Sequence, residues 1–285
     1  MANNDDWAIV VGIGEYPNWN GLDALEGAER DARAFHDWVT DPAGGAVPID
    51  QAELLVTSDF KPFASPMDAE PSKAKIDGQV RELASRMNGA RVGRRVYIYV
   101  SSHGFSPPDP DDIGCLTAEA SDMFNMNIHA NGVADVFFMK GLFDEVVLFA
   151  DCCRTSIRQA SLMNSGASNA VNAAVIGGRK RLYGFAASMT QKAMEVPDEN
   201  GNKRGVFTMA LLDGLRGKAE SSGATTVNSQ DLERFLNFSM KDYLPDALKE
   251  LKEHFSPHIR HEIGGNPPIE FGPVAPDRAT FDLDL

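Results

Sequence analysis

Tyr97-Ile98-Tyr99-Val100-Ser101-Ser102-His103-Gly104 runs apolar, turns polar at two serines and ends on an imidazole beside a glycine. A short apolar run rich in aromatic and β-branched residues fits a strand buried on both faces, because no alternation marks a wet side. The device recurs at Val147-Leu148-Phe149-Ala150-Asp151-Cys152-Cys153-Arg154, which ends on a carboxylate and two thiols, and Trp7 to Ile13 is a third such run. Two strand ends therefore carry reactive side chains.

Outward from these runs, the spacing of Leu25, Ala28, Ala32, Phe35 and Val39 predicts an amphipathic helix, as does that of Ile76, Val80, Leu83 and Met87. Glu53 to Thr57 and Leu182 to Ala187 read as further strands, and Phe207 to Leu215 as a helix. A helix over Asp231 to Tyr243 has Asn228 or Ser229 as its cap, and Pro267-Pro268 precedes a last short strand, Ile269-Glu270-Phe271. Strands alternating with helices predict an α/β fold with a mostly parallel sheet covered on both faces. Sites in such sheets collect outside the carboxyl ends of the strands.

Of the 285 residues 43% are hydrophobic, enough for a sizeable core, and 41 acidic against 27 basic residues give a net charge of −14. That field repels phosphate backbones, so no nucleic acid partner is expected, whereas a cationic ligand is compatible. No apolar stretch reaches the length of a membrane span and Asn3-Asn4-Asp5-Asp6 lacks a basic leader start, so a soluble, cytoplasmic protein with no membrane partner is expected. Cys115, Cys152 and Cys153 show no CxxC spacing, which argues against a disulfide framework and a zinc site. Gly12-Ile13-Gly14 is followed by Pro17 where a dinucleotide turn needs its third glycine, and neither a GxxxxGK[ST] loop nor a GxSxG elbow occurs.

A histidine or a cysteine alone at a strand end reads most simply as structural. Together, an imidazole and a thiol at matching strand ends reverse that reading, since a nearby imidazole that stabilises the thiolate makes a thiol a useful nucleophile.

At these residues the chain resembles the caspase/metacaspase superfamily of cysteine peptidases. Val100-Ser101-Ser102-His103-Gly104 matches the family's Tyr-Ser-Gly-His-Gly, and Asp151-Cys152-Cys153-Arg154-Thr155-Ser156 matches its Asp-Ser-Cys-His-Ser-Gly. The resemblance implies a three-layer α/β/α fold with a central sheet of about six strands. One domain over residues 1–285 is expected, with loop insertions at 105–132 and 189–205. It implies a catalytic pair of His103 and Cys153, with the amides of Gly104 and Cys153 as oxyanion donors and Cys152 as a packed neighbour. Leu25-Glu26-Gly27-Ala28-Glu29-Arg30-Asp31 resembles the family's Leu-x-Gly-Cys-x-x-Asp. Asp31, Ser101 and Asp151 are thereby implied as walls of the pocket for P1, the residue preceding the scissile bond. Two carboxylates there suit Arg or Lys. The segment from Ser188, with its Gln-x-Ala-x-Glu, resembles a substrate wall, and Gly205-Val206-Phe207-Thr208 resembles a helix start that follows it.

The implied function is a cysteine endopeptidase acting on peptides or proteins after Arg or Lys. The alternative is a silent or conditionally active peptide-binding module, because Ser102 replaces a Gly, Arg154 a His and Ser156 a Gly of the motif. No cofactor is expected. Calcium dependence is disfavoured by Ala160, where calcium-dependent relatives carry a carboxylate, and Asp109, Asp111 and Asp112 do not form a spaced calcium loop. Pro257 among His254, His258 and His261 argues against a metal cluster, and His36 and His129 have no motif partner. Asn202-Lys203-Arg204 reads as an exposed basic loop open to self-cleavage or simply solvated. Met123, Phe124, Met126, Phe137, Phe138 and Met139 read as packing residues. Oligomeric state is left open.

Overall fold

The computed structural model describes residues 4–87, 91–106, 112–154, 161–163, 177–188, 192–220, 224–248, 250, 255–262 and 267–273. Its centre is a sheet of six strands: β1 (Asp6–Gly12), β2 (Ala52–Val56), β3 (Gly93–Ser102), β7 (Phe143–Cys152), β8 (Lys180–Phe185) and β12 (His258–Glu262). Their spatial order is β12-β8-β7-β3-β1-β2, and every pairing is parallel except that of β12 with β8. This is the expected three-layer α/β/α arrangement.

The inner strands β1, β3 and β7 are apolar through their middles because both faces are covered. Val96, Ile98, Val100, Val146, Leu148 and Ala150 face one core, against α2 (Lys73–Ser85) and α3 (Ala130–Met139). Tyr97, Tyr99, Val147 and Phe149 face the other, against α1 (Ala28–Thr40), α4 (Val206–Asp213) and α5 (Ser229–Ser239). There Phe35 stacks on Tyr99 at 4.6 Å between ring centroids. Each such fully buried side chain contributes roughly 1.5–3 kcal/mol through removal from water.

Asn228 is the cap of α5, its side chain accepting from the Gln230 and Asp231 amides. The first helix begins later than its spacing suggests: Leu25 precedes it, and the Gly27 amide at its start donates to Glu195 Oε1 at 2.9 Å. Met87 lies beyond α2 and is exposed, because the helix ends at Ser85. The α4 helix continues into a π turn over Gly214–Lys218.

The expected insertion at 105–132 holds regular structure. It contains an antiparallel sheet of β4 (Gly104–Phe105), β5 (Gly114–Leu116) and β6 (Asn127–His129), strands too short to show alternation, followed by the start of α3. In the 189–205 segment, β9 (Glu195–Pro197) and β10 (Lys203–Gly205) form a hairpin, so Lys203 and Arg204 lie on a strand, with Arg204 half-buried. The strand expected at Ile269–Phe271 is β13 (Glu270–Pro273), and it pairs with β11 (Thr226–Asn228) outside the central sheet. The sixth central strand is instead the histidine-bearing β12. Among the described residues no helix is long and apolar enough to cross a membrane.

Candidate active site

Parallel pairing sets the site's layout. In the register of β1, β3 and β7, Gly12 aligns with Ser101, Ser101 with Asp151, and Ser102 with Cys152. Successive side chains alternate between faces, so Ser101 and Asp151 share one face, Ser102 and Cys152 the other, and His103 and Cys153 lie just past the strand ends. A Cβ at Gly12 would come within 2.6 Å of Ala32 Cβ, so only a glycine lets α1 cross β1 this closely. That approach carries Asp31 over the strand ends on the Ser101–Asp151 face.

The two thiols separate accordingly. Cys152 is fully buried, its Sγ 3.4 Å from Cys115 Sγ and 3.4 Å from Ser102 Oγ. Cys153 is half-buried and lines a small cavity with His103, Leu25, Asp31, Ser101 and Asp151. Ser102, Ala193, Met194, Glu195 and Gly205 also line it, and its volume is about 30 Å³.

Asp31, 1% exposed, accepts from Arg204 Nε through Oδ1 and from the Gly205 amide through Oδ2 at 2.6 Å. Asp151 accepts through Oδ2 from the Thr208 amide at 3.2 Å and the Thr208 hydroxyl at 2.6 Å. Since that hydroxyl gives its proton to Asp151, its 2.6 Å contact with Tyr99 is one in which the phenol donates. Burial, then the like charge of Asp151, pushes Asp31 up to about 7, with Arg204 opposing. Burial likewise pushes Asp151 up to about 6, against the Thr208 hydrogen bonds. A cation entering this hole would restore the ionised form of both.

His103 is held from three sides. Its amide donates to the Tyr16 hydroxyl at 2.7 Å, its ring lies 5.1 Å from that of Tyr16, and its Nε2 contacts the Asp23 carbonyl at 2.8 Å. A carbonyl only accepts, so Nε2 carries the proton and Nδ1 keeps the lone pair that can take one. Burial holds the imidazole below its ordinary value and pushes the Cys153 thiol above its own. The resting pair is therefore neutral imidazole and neutral thiol, with Cys153 Sγ 3.7 Å from the Ala193 carbonyl.

Gly104 follows His103 into β4, where a Cβ would approach Cys152 Cβ at 2.8 Å and the Cys153 carbonyl at 2.9 Å, so only glycine fits between the strand ends. Ser188 stands outside the cavity lining, its amide donating to the Ser256 carbonyl at 3.1 Å. Two of the departures from the family motif are accommodated: Ser102 Oγ donates to the His103 carbonyl at 2.9 Å. Arg154, 1% exposed, reaches the carbonyls of Ala187 at 3.5 Å and Asp112 at 3.3 Å and lies over the Phe185 ring. Sequence reasoning missed the Asp23 carbonyl and Tyr16 and gave Glu195 no charge role. The only available signal was Glu195 in the Gln-x-Ala-x-Glu segment, because a backbone carbonyl leaves no mark on side-chain pattern.

Among the described residues no group of three His, Cys, Asp or Glu could hold a metal ion. Asp112 is taken up by His129 Nε2 at 2.9 Å and Asn131 Nδ2 at 2.5 Å, giving His129 a partner. His36 Nε2 lies 3.3 Å from the Ala52 carbonyl, His258 stacks on Phe185 and His261 meets Glu233. Asp109, Asp111, Ser156, Ala160 and His254 lie outside the described residues.

A three-layer parallel fold with an imidazole and a thiol at neighbouring strand ends defines a class, the caspase-like proteins. The chain belongs to the caspase domain family, which matches residues 5–251. It is 30% identical over 221 residues to a Desulfuromonadales bacterium protein named "Probable protease", covering 74% of this chain and 26% of that one. The chain thus spans about a quarter of that relative's length. In fold it is similar to caspase-1 from Spodoptera frugiperda, with a TM-score of 0.55, 11% identity and 93% and 94% of the two chains covered. A Geobacter sulfurreducens protein of known structure is similar as well, with a TM-score of 0.55, 13% identity and 90% and 93% covered.

Proposed function

We propose that this protein is a cysteine endopeptidase that cleaves peptides or proteins after Arg or Lys. The observation that supports this most is the sharing of one cavity by His103, Cys153, Asp31 and Asp151. Cys153 gives its proton to His103 Nδ1 and attacks the scissile carbonyl, forming a tetrahedral adduct whose oxyanion faces the amides of Gly104 and Cys153. The adduct collapses to a thioester as His103 hands the proton to the leaving amine. Water, deprotonated by the same imidazole, then releases the acid and regenerates the thiol. The Asp23 carbonyl fixes the ring's tautomer throughout and stabilises the imidazolium formed on the way.

Purified protein is tested on peptides differing only in P1 as Arg, Lys or Asp, under reducing conditions, with and without calcium. Cleavage after Arg or Lys that is lost in Cys153→Ala and retained in Cys152→Ala is expected. Cleavage after Asp would overturn the pocket assignment. No turnover in any condition would leave the second reading, a conditionally active peptide-binding module, which the upward push of burial on the Cys153 thiol favours.

A further inference from the structure

The acidic cavity already has a cation of its own. Both oxygens of Asp31 are engaged by consecutive residues of β10, Oδ1 by the Arg204 guanidinium and Oδ2 by the Gly205 amide. The strand packs tightly against both carboxylates. A Cβ at Gly205 would overlap Asp151 Oδ2 and come within 2.9 Å of Asp31 Oδ2, and one at Gly27 would come within 3.1 Å of Arg204 Cα. Pairing of Arg204 with Val196 and of Gly205 with Glu195 further fixes the guanidinium's root. Three carboxylates, Asp31, Asp151 and Glu195, thus line one small cavity, and among the described residues Asp31 is the one with a side-chain cation bonded to it there.

We propose that Arg204 is a specificity-determining residue, an internal counter-ion that a P1 side chain must displace from Asp31 in order to enter. The inference rests on the basic-P1 reading above. A P1 Arg or Lys replaces one cation on Asp31 with another, so the carboxylate stays paired while Arg204 swings to solvent. A neutral P1 of the same shape would leave the buried carboxylate without a partner, which is strongly unfavourable. Discrimination then comes from the cost imposed on the wrong side chain as much as from attraction to the right one.

The test is binding by calorimetry of two product peptides, one ending in Arg and one in its uncharged isostere citrulline, to the full chain carrying Cys153→Ala. Adding Arg204→Gln removes the competitor. The Arg peptide is then expected to bind about tenfold tighter, a coupling typical of close charge pairs, and the citrulline peptide to gain at least as much, because its entry no longer strips Asp31 of a cation. Arg204→Lys, which keeps the charge on a flexible stem, is expected to fall between, near threefold, and serves if the glutamine variant does not fold. Unchanged or weaker Arg-peptide binding in the variant that folds, with the parent still preferring Arg to citrulline, overturns the proposal alone. A parent with no preference for Arg overturns the basic-P1 reading and this proposal with it.

Discussion

The two ends of the central sheet handle buried charge in opposite ways. At the amino end, Glu145 accepts from Arg95 at 2.7 and 2.5 Å and from Lys180 at 2.6 Å, Arg94 binds Asp6, and Arg95 also donates to Tyr97 and to the Glu270 carbonyl. Burial favours the protonated form of Glu145, but Arg95 and Lys180 outweigh it and hold the carboxyl below its ordinary value. Burial still raises Asp6 despite its two arginines. At the carboxyl end, Asp31, Asp151 and Glu195 face one another with Arg204 on Asp31, and burial raises all three. One end is nearly saturated with counter-charge and holds strands together. The other carries surplus negative charge, which is useful only to a ligand that brings a cation.

The contrast breaks first if the ends respond alike to substitution. Asp151→Asn keeps an acceptor for Thr208 and removes the charge, so kcat/KM on a P1-Arg peptide is expected to fall by about 10³, the scale of losing one partner of a desolvated pair. Thermal stability should hold or rise, since a buried like charge is removed. Arg95→Met at the other end should do the reverse: a loss of about 3–5 kcal/mol in denaturant titration, because Glu145 and Asp6 lose their buried partner, with P1 preference intact. A stability loss at Asp151 matching that at Arg95 would erase the distinction.

The fold and the acidic carboxyl end were legible in the sequence while the amino-end ion pairs were not, and the exceptions have physical causes. The runs at Trp7, Tyr97 and Val147 announced themselves because strands buried on both faces are continuously apolar. The edge strand β12 reads His258-Ile259-Arg260-His261-Glu262 and pairs only with β8, so half-exposed side chains hide its pattern. Helix α3 shows no clean polar face around Val133, Phe137 and Phe138. Asp31 and Asp151 were found through motif resemblance, whereas the Arg204 contact joins residues 173 apart that no local spacing links. The expectation that Lys203 and Arg204 form an exposed loop failed because an ion pair to a distant carboxylate draws one of two adjacent cations inward.

Acidity separates the ends further. Asp31 near 7 and Asp151 near 6 bind protons in the folded state that the unfolded chain, with ordinary values near 3.8, has already released. The stabilising contribution of these protonated carboxyls is therefore complete below about pH 4 and is lost as pH climbs through 6 and 7. Glu145 has the opposite sign, contributing above its ordinary value and losing that contribution as pH falls. On the proposed function, binding of a P1 cation follows the ionised form, so KM for a P1-Arg peptide is expected to drop about tenfold between pH 5.5 and 7.5. A citrulline peptide should show no such drop. Equal pH profiles for the two would detach the acidic cavity from recognition.

The smallest effect expected concerns the proposed His103–Cys153 pair alone. Tyr16 offers its hydroxyl oxygen to the His103 amide at 2.7 Å and its ring to the imidazole, while its own proton points toward the Ile13 carbonyl at 3.4 Å. Tyr16→Phe keeps the ring contact and leaves a buried amide unpaired, a loss of about 1–3 kcal/mol shared between stability and the placement of His103. Because the change fixes geometry rather than charge, kcat should fall several-fold while KM and the Arg-to-citrulline ratio stay constant. A shift in KM instead would mean that His103 placement and the acidic cavity are one coupled unit. The carboxyl end would then act as a single device rather than a nucleophile set beside an independent cation hole.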